Sequence, residues 1–158
     1  MTFNQITIVI TSYKSDEKIV KCLKSINNQC KTIIVENSKN MLFKEKIEKN
    51  FTTTECLIAG ENLGYAKGNN LGLSKVKTKY ALILNPDAEL ENNTLDNFFN
   101  TANKIKNFAI IGPAIQDEKN IKNNVKDLTE VDSVKGFAMF LNLEEFNNVG
   151  FFDANFFI

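Results

Sequence analysis

In the stretch ITIVITSYKSDEKIVKCLKSINNQ (residues 6–29), an apolar run gives way to a polar turn and then to a helical pattern. The run at 6–11 is short, continuous and rich in β-branched residues, which is typical of a strand buried on both faces. Ser15 is a candidate N-cap for the helix that follows. One face of that helix carries the apolar residues Ile19, Cys22, Leu23 and Ile26.

The alternation of strand and helix continues along the chain. Apolar runs predict strands at 32–36, 55–59, 80–84, 108–115 and 131–142, and amphipathic patterns predict helices at 42–50, 60–75, 93–106 and 143–150. The polar segment 117–130 predicts a surface loop. Strands that alternate with helices form right-handed crossovers and a mostly parallel sheet. We therefore expect an α/β fold, a three-layer α/β/α sandwich with a mostly parallel central sheet, in one domain over residues 1–158.

Composition narrows the chemistry. The chain has a formal net charge of zero and contains neither histidine nor arginine, so all of its basic side chains are lysines. Histidine is therefore excluded both as a general base and as a zinc ligand. Without arginine, a bound phosphate must be held by backbone N–H groups, lysine or a metal. Balanced charge gives no nucleic-acid footprint, and no apolar stretch approaches the ~20 residues of a membrane span. Three cysteines without metal-ligand spacing indicate reduced thiols of a cytoplasmic protein.

Polar residues follow three predicted strands at their carboxyl ends, the edge at which α/β sheets bind ligands. Thr11 and Ser12 end the first strand, and Glu36 and Asn37 end the second. The fourth strand is followed by NPDAE (85–89). Each group alone could be ordinary turn or capping chemistry. Together at one edge of one sheet, they favour a binding cleft.

The segment GENLGYAKGNNLGL (60–73) places Gly64, Gly68 and Gly72 four residues apart. Each glycine costs a helix roughly 1 kcal/mol relative to alanine, and close packing on the sheet would explain Gly68 and Gly72. Free N–H groups at the helix start form an anion site. Polar side chains cluster there with Gly64, namely Asn62, Lys67 and Asn69. The pattern differs from the dinucleotide fingerprint and does not follow the first strand, which excludes a Rossmann dehydrogenase.

Asp87 and Glu89 stand just beyond the fourth strand. They could be first-turn acids of the next helix, a contribution of ~0.3–1 kcal/mol, although Asn93 and Thr94 are better caps. Carboxylates at a strand end that faces an anion site suit a hard divalent cation bridging phosphates. Because the chain has no arginine, a diphosphate leaving group needs such a charge. The pattern favours a hard divalent cation held by Asp87, with Glu89 as a candidate second ligand.

Five motifs in order resemble the family 2 glycosyltransferases of the rhamnosyltransferase-like bacterial kind. They are VITSYKSDE, IIVENSKN, ENLGYAKGNNLGL, LILNPDAEL and VKGFAMFLNLEEFNNVGFFDANFF, and they span nearly the whole chain. The resemblance implies a GT-A fold of the nucleotide-diphospho-sugar transferase type, a nucleotide-diphosphate sugar donor and Mg²⁺ or Mn²⁺. It assigns the nucleoside to Thr11, Ser12, Tyr13 and Glu36, and the nucleotide-sugar to the segment 62–70. Asn37, which follows Glu36 at the same strand end, is a further candidate for nucleotide-sugar binding. It places Asn85 and Asp87 in the metal motif and Gly136 beside the donor sugar and acceptor.

The resemblance further implies transfer with inversion to a glycan or lipid-linked saccharide, in cell-surface polysaccharide biosynthesis, at the inner face of the membrane. Glu36 stands where many members have Asp, and Asn85 replaces the first acid of the D-x-D pattern. In the family, an acidic pair that supplies the general base follows the segment matching FFDANFFI, whereas this sequence ends at Ile158. We therefore expect a truncated domain that binds the donor, with Asp153 as a weak candidate base.

The same residues fit other α/β functions less well. A non-catalytic nucleotide-sugar-binding remnant or regulatory module would keep the donor site and lack the base. A sugar-phosphate nucleotidyltransferase needs a glycine-rich, basic loop after the first strand, and TSYKSDEK has no glycine. Flavodoxin-like and receiver domains do not account for a glycine-rich helix together with an N-P-D strand end.

Overall fold

The computed structural model describes residues 3–105, 107–114 and 128–157. Six strands and five helices alternate along this part of the chain. In order they are β1 (Ile6–Ser12), α1 (Asp16–Ile26), β2 (Lys31–Glu36), α2 (Met41–Asn50), β3 (Thr54–Ile58), α3 (Gly64–Leu73), β4 (Tyr80–Leu84), α4 (Thr94–Lys104), β5 (Ile110–Ile111), β6 (Ala138–Asn142) and α5 (Leu143–Val149).

The strands form one sheet in the order β3-β2-β1-β4-β6-β5. The first four are parallel, while β6 runs antiparallel to β4 and β5 runs antiparallel to β6. The register places Ser12 opposite Glu36, so the carboxyl ends of β1 and β2 are level. The prediction of a mostly parallel α/β sheet is confirmed.

Apolar side chains alternate between the two faces of the sheet. Ile8 and Ile10 of β1 belong to a core formed with α1, α2 and α4, whereas Val9 belongs to a second core formed with α3 and α5. All three side chains are fully buried. Because helices cover both faces, the architecture is the predicted three-layer sandwich.

The last two strands of the structure, β5 and β6, are shorter than the apolar runs from which strands were predicted. Within the described part of this run, residues 108–114, the strand covers Ile110–Ile111. It cannot continue through Pro113, which has no N–H to donate to a ladder. The run at 131–142 pairs only at Ala138–Asn142, after a turn at 136–137. Of the predicted loop, residues 128–130 are irregular as expected, and 117–127 lie outside the described residues.

Two helix ends also differ from the prediction. The first helix stops at Ile26, because Asn27 and Asn28 adopt left-handed backbone angles with φ near +52° and +53°. Ser15 holds the N-cap position, yet its hydroxyl donates to the Tyr13 carbonyl and does not cap a helical N–H. Among the described residues, no helix is long and apolar enough to cross a bilayer.

Candidate active site

A cluster of buried polar side chains lies beneath α3 at the carboxyl ends of β1 and β2. Ser12, Glu36, Asn37 and Asn69 are each at most 1% exposed. The Thr11 hydroxyl donates to Asn69 Oδ1 at 2.9 Å. The structure thus brings together five residues from the two strand ends and the glycine-rich helix, as the sequence predicted.

Some polar groups of this cluster are used in hydrogen bonds within the fold. Asn37 Nδ2 donates to the Gly64 carbonyl at 3.1 Å, and the Ser38 hydroxyl donates to Glu36 Oε1 at 2.6 Å. The remaining polar atoms have no partner among the described residues: Ser12 Oγ, Glu36 Oε2, Asn37 Oδ1 and Asn69 Nδ2. Buried polar atoms are costly to leave unpaired, so their concentration at one sheet edge marks a place built for a polar ligand.

Burial raises the pKa of the Glu36 carboxyl above its ordinary value, and the nearby hydroxyls of Ser38 and Ser12 oppose that shift. The charge of Asp16 adds to the rise. A carboxyl group in this environment is poised to accept hydrogen bonds from a ligand, since donors stabilise its charged form.

Glycines let α3 approach the sheet closely. A Cβ at Gly68 would lie less than 3.0 Å from Thr11 Cγ2, and a Cβ at Gly72 would lie equally close to Val9 Cγ1. The prediction that these two glycines serve packing is confirmed. Gly64, at the helix start, has φ of +72°, a conformation that only glycine adopts without strain.

The other residues predicted around α3 are placed differently. The Asn62 side chain accepts from the Gly64 N–H at 3.1 Å and so shapes the helix start. Lys67 is exposed. Tyr13 is 44% exposed beyond the end of β1, with the Lys14 ammonium 5.2 Å from its ring centre.

The loop after β4 carries the predicted metal ligands at the same edge. Asp87 and Glu89 are exposed, and Lys18 Nζ lies 3.3 Å from Asp87 Oδ2. α4 begins only at Thr94, and the acid in its first turn is Asp96. First-turn capping therefore explains neither Asp87 nor Glu89.

Both carboxylates also act on a buried thiol beneath the loop. Burial raises the pKa of Cys22 to about 12, and the charges of Glu89 and Asp87 contribute. Cys22 Sγ donates to the Asn85 carbonyl, with 3.8 Å between the two atoms. Both acids therefore lie close to Cys22 of α1.

These donors suit one kind of metal. Within the described ranges, no group of three acidic or thiol side chains is arranged to enclose an ion. Two carboxylates at an open edge instead fit Mg²⁺ or Mn²⁺, which keep water and phosphate oxygens in their coordination shell. The residues present therefore fit a divalent ion that arrives with a phosphate-bearing ligand.

Gly136 lies between this loop and α3. The Asn85 N–H donates to the Phe137 carbonyl at 2.8 Å, and the Tyr65 hydroxyl donates to the Gly136 carbonyl. Burial raises the pKa of Tyr65 to about 12, so the hydroxyl remains a donor at neutral pH. Gly136 thus lies between the carboxyl end of β4 and α3.

Asp153 lies on the segment after α5. Its carboxylate is exposed and accepts from the Asn155 N–H at 2.9 Å, which stabilises a local turn. Sequence reasoning missed the contacts of Asn70, whose side chain bonds twice to the backbone of Phe152. The doubled Asn69-Asn70 was the available signal, because neighbouring residues on a helix point to different partners.

Comparison with known proteins gives a consistent result. The family model described as Glycosyl transferase family 2 matches residues 7–158. The low-salt glycan biosynthesis hexosyltransferase Agl10 of Haloferax volcanii is 24% identical over 98% of this chain and 58% of its own length. The teichoic acid poly(glycerol phosphate) polymerase of Staphylococcus epidermidis is 33% identical over 55% of this chain and 13% of its own length. The chain therefore spans little more than half of the first relative and a small part of the second.

Solved structures share the fold. The mannosyltransferase PcManGT from Pyrobaculum calidifontis, in complex with GDP-Man and Mn²⁺, has a TM-score of 0.77 at 14% identity over 98% of this chain and 49% of its own. TarS 1-349 of S. aureus has a TM-score of 0.73 at 12% identity over 98% of this chain and 52% of its own. The similarity identifies the architecture as the GT-A type.

Proposed function

Because the chain belongs to glycosyl transferase family 2, we propose that it is the donor-binding domain of an inverting glycosyltransferase. Its donor is a nucleotide-diphosphate sugar, and its acceptor is a glycan or lipid-linked saccharide at the inner face of a membrane. The observation that carries this proposal is the set of unpartnered buried polar atoms of Ser12, Glu36, Asn37 and Asn69.

The chemistry of that set suits a nucleoside. A base and a ribose offer N–H, O–H and carbonyl groups within one small ligand, and the cluster offers both acceptors and a donor. Tyr13 is exposed at the rim, where its ring can lie against a flat base. The diphosphate then extends from the ends of β1 and β2 towards the loop after β4.

Asp87 and Glu89 would hold a divalent ion at that loop. When bound, the ion neutralises the charge of the departing nucleoside diphosphate. Lys18 is the nearest cationic side chain, since its ammonium already contacts Asp87. Gly136 and its neighbour Tyr65 border the space where the sugar would lie.

Transfer with inversion is a single displacement at the anomeric carbon. The acceptor hydroxyl attacks the face opposite the diphosphate, the bond to the diphosphate breaks, and a base takes the hydroxyl proton. Asp153, on the segment after α5, is the candidate for this base. Its carboxylate is already used by the Asn155 N–H, and this favours the second candidate function, a donor-binding module without transfer activity.

Calorimetry tests donor binding directly. UDP and GDP would each be titrated into the chain with Mn²⁺ and with EDTA. We expect one of the two to bind in a metal-dependent way, and binding of neither would overturn the proposal. Release of UDP from UDP-GlcNAc, or of GDP from GDP-mannose, then separates the two candidate functions. Turnover lost in Asp153→Asn with donor affinity unchanged supports transfer, whereas binding without turnover supports the module.

A further inference from the structure

The side chain of Asn70 joins α3 to the segment that follows α5. Asn70 Nδ2 donates to the Phe152 carbonyl at 2.8 Å, and the Phe152 N–H donates to Asn70 Oδ1 at 3.1 Å. An amide that bonds to both polar groups of one residue fixes the position and the direction of that backbone. Asn70 is therefore equipped to hold this segment, residues 150–157, in one orientation.

A second contact from the same helix acts on the same region. Tyr65 packs edge-on against Phe152, with ring centres 6.2 Å apart, while its hydroxyl donates to the Gly136 carbonyl. Phe137 in turn accepts from the Asn85 N–H. A continuous series of contacts thus runs from the loop after β4, past Gly136 and Tyr65, to Phe152.

Asn69 and Asn70 divide two tasks between adjacent positions. Asn69 is buried and accepts from Thr11 on the nucleoside side. Asn70 is half-buried and bonds to the Phe152 backbone. One helix therefore contacts the nucleoside cluster with one side chain and the segment 150–157 with the next.

We propose that Asn70 is a positioning residue, which holds the segment 150–157 as the wall of the sugar and acceptor side of the cleft. This inference rests on the proposed function. It assigns Asn70 no contact with the nucleoside diphosphate, so the residue should influence the sugar without influencing the diphosphate. A residue needed only for stability would not make that distinction.

The first measurement is hydrogen exchange followed by mass spectrometry. Asn70→Ala removes both hydrogen bonds to Phe152, and exchange in peptides covering 150–157 should become at least about tenfold faster. Asn147→Ala, an exposed asparagine of α5, serves as the matched control and should exchange like the wild type. Unchanged exchange in Asn70→Ala would overturn the inference.

The second measurement compares affinities for UDP, GDP, UDP-GlcNAc and GDP-mannose with Mn²⁺. We expect Asn70→Ala to bind the diphosphates within about twofold of the wild type and to lose the extra affinity for a nucleotide-sugar. Asn70→Asp keeps the acceptor for the Phe152 N–H, so its affinity for a nucleotide-sugar should lie between those of the wild type and Asn70→Ala. If Asn70→Ala prefers nucleotide-sugars over diphosphates as strongly as the wild type does, the proposed role is overturned. If Asn70→Ala loses affinity for the diphosphates as well, Asn70 is a structural residue and the proposal is also overturned. If the wild type binds none of the four, the proposed function itself fails, while exchange still reports whether the contact exists.

Discussion

Glu36 is a carboxyl group placed where water does not reach. Only 1% of the residue is exposed, and one of its oxygens has no partner among the described residues. The fold gains nothing from such a group by itself, because an aliphatic side chain would pack without desolvating a charge. A residue that costs stability at a ligand-binding edge is explained by what it binds.

The raised pKa of Glu36 gives the stability a specific dependence on pH. Between the ordinary value of 4.5 and the folded value, the folded chain retains a proton that the unfolded chain has released. The free energy of unfolding therefore falls as the pH rises through that window. Glu36→Gln should remove this decline and raise the melting temperature at pH 7 by roughly 2 °C.

Guanidinium chloride titrations from pH 4 to pH 8 would measure the effect. The gap between Glu36→Gln and the wild type should widen as the pH rises. Glu55→Gln is the control, because Glu55 is half-exposed and paired only with Lys31 at the surface. A constant gap across this range would contradict the assignment. The same Glu36 variant should bind a nucleoside diphosphate more weakly, despite its greater stability.

Asp87 should control the metal dependence of binding. Asp87→Asn removes a charged ligand, and we expect the affinity of the preferred diphosphate in Mn²⁺ to fall at least about tenfold, or 1.4 kcal/mol. The difference between Mn²⁺ and EDTA should disappear in the same variant. Glu91→Gln removes an exposed carboxylate from the same loop and should leave both quantities unchanged. Equal metal dependence in Asp87→Asn and the wild type would show that the ion is held elsewhere.

Which residues meet at the site could be predicted from the sequence to a useful degree. Parallel strands bring their carboxyl ends to one edge, so Ser12, Glu36 and Asn37 had to be neighbours. The roles of Asn62 and Asn70 could not be predicted in the same way. Each depends on a side chain meeting one backbone group, and in the case of Asn70 that group lies 82 positions further along the chain.

At the scale of the element, α3 is the helix on which the site depends. Its two packed glycines look equivalent in the sequence, yet they face different neighbours. Gly68 faces Thr11, which holds Asn69, whereas Gly72 faces Val9 in the core. Position along one helix therefore separates a residue that serves the site from a residue that serves only packing.

Gly68→Ala and Gly72→Ala form a matched pair. Each added methyl group overpacks a close contact, a cost of about 1–3 kcal/mol, partly offset by the roughly 1 kcal/mol that alanine contributes to a helix. Both variants should therefore unfold at lower denaturant concentration. Only Gly68→Ala should also weaken diphosphate binding, because Thr11 must move. Weaker diphosphate binding in Gly72→Ala, or unchanged diphosphate binding in Gly68→Ala at equal stability, would contradict this division.

The elements themselves were predicted well where one sheet face and one helix face are both buried. The four parallel strands follow the apolar runs to within two residues. The two antiparallel strands do not, because an apolar run shows that residues are buried and does not show that they have a partner. Residues 131–137 lie outside any strand, and Val134 packs against Gly112 and the core beneath α3 and α5 without a ladder.

At the scale of the whole molecule, the three cysteines report on global unfolding. Cys22, Cys30 and Cys56 are buried thiols, and burial raises the pKa of each to about 12. Because the thiolate is the reactive species, a disulfide reagent at pH 8 should find no rapidly reacting group in the native chain. In denaturing guanidinium chloride it should find three.

The rate of the native reaction gives a second check. Labelling should follow the population of the unfolded state and slow down when a bound diphosphate stabilises the fold. A thiol that reacts as fast as a free small-molecule thiol would contradict the burial of that cysteine. Glu91→Gln should label at the wild-type rate without ligand, since its side chain is exposed.

The pairing of β6 with β4 sets the order in which the chain can assemble. Strands β1 to β4 all lie within residues 6–84 and can pair as soon as that part of the chain has been synthesised. β4 then presents an open edge of five apolar residues until β6 arrives from residue 138. Closing so long a loop is slow compared with local pairing, and an open apolar edge is a template for a strand of another molecule. During refolding at high concentration, this edge is where two chains would join, and the yield of monomer should fall accordingly.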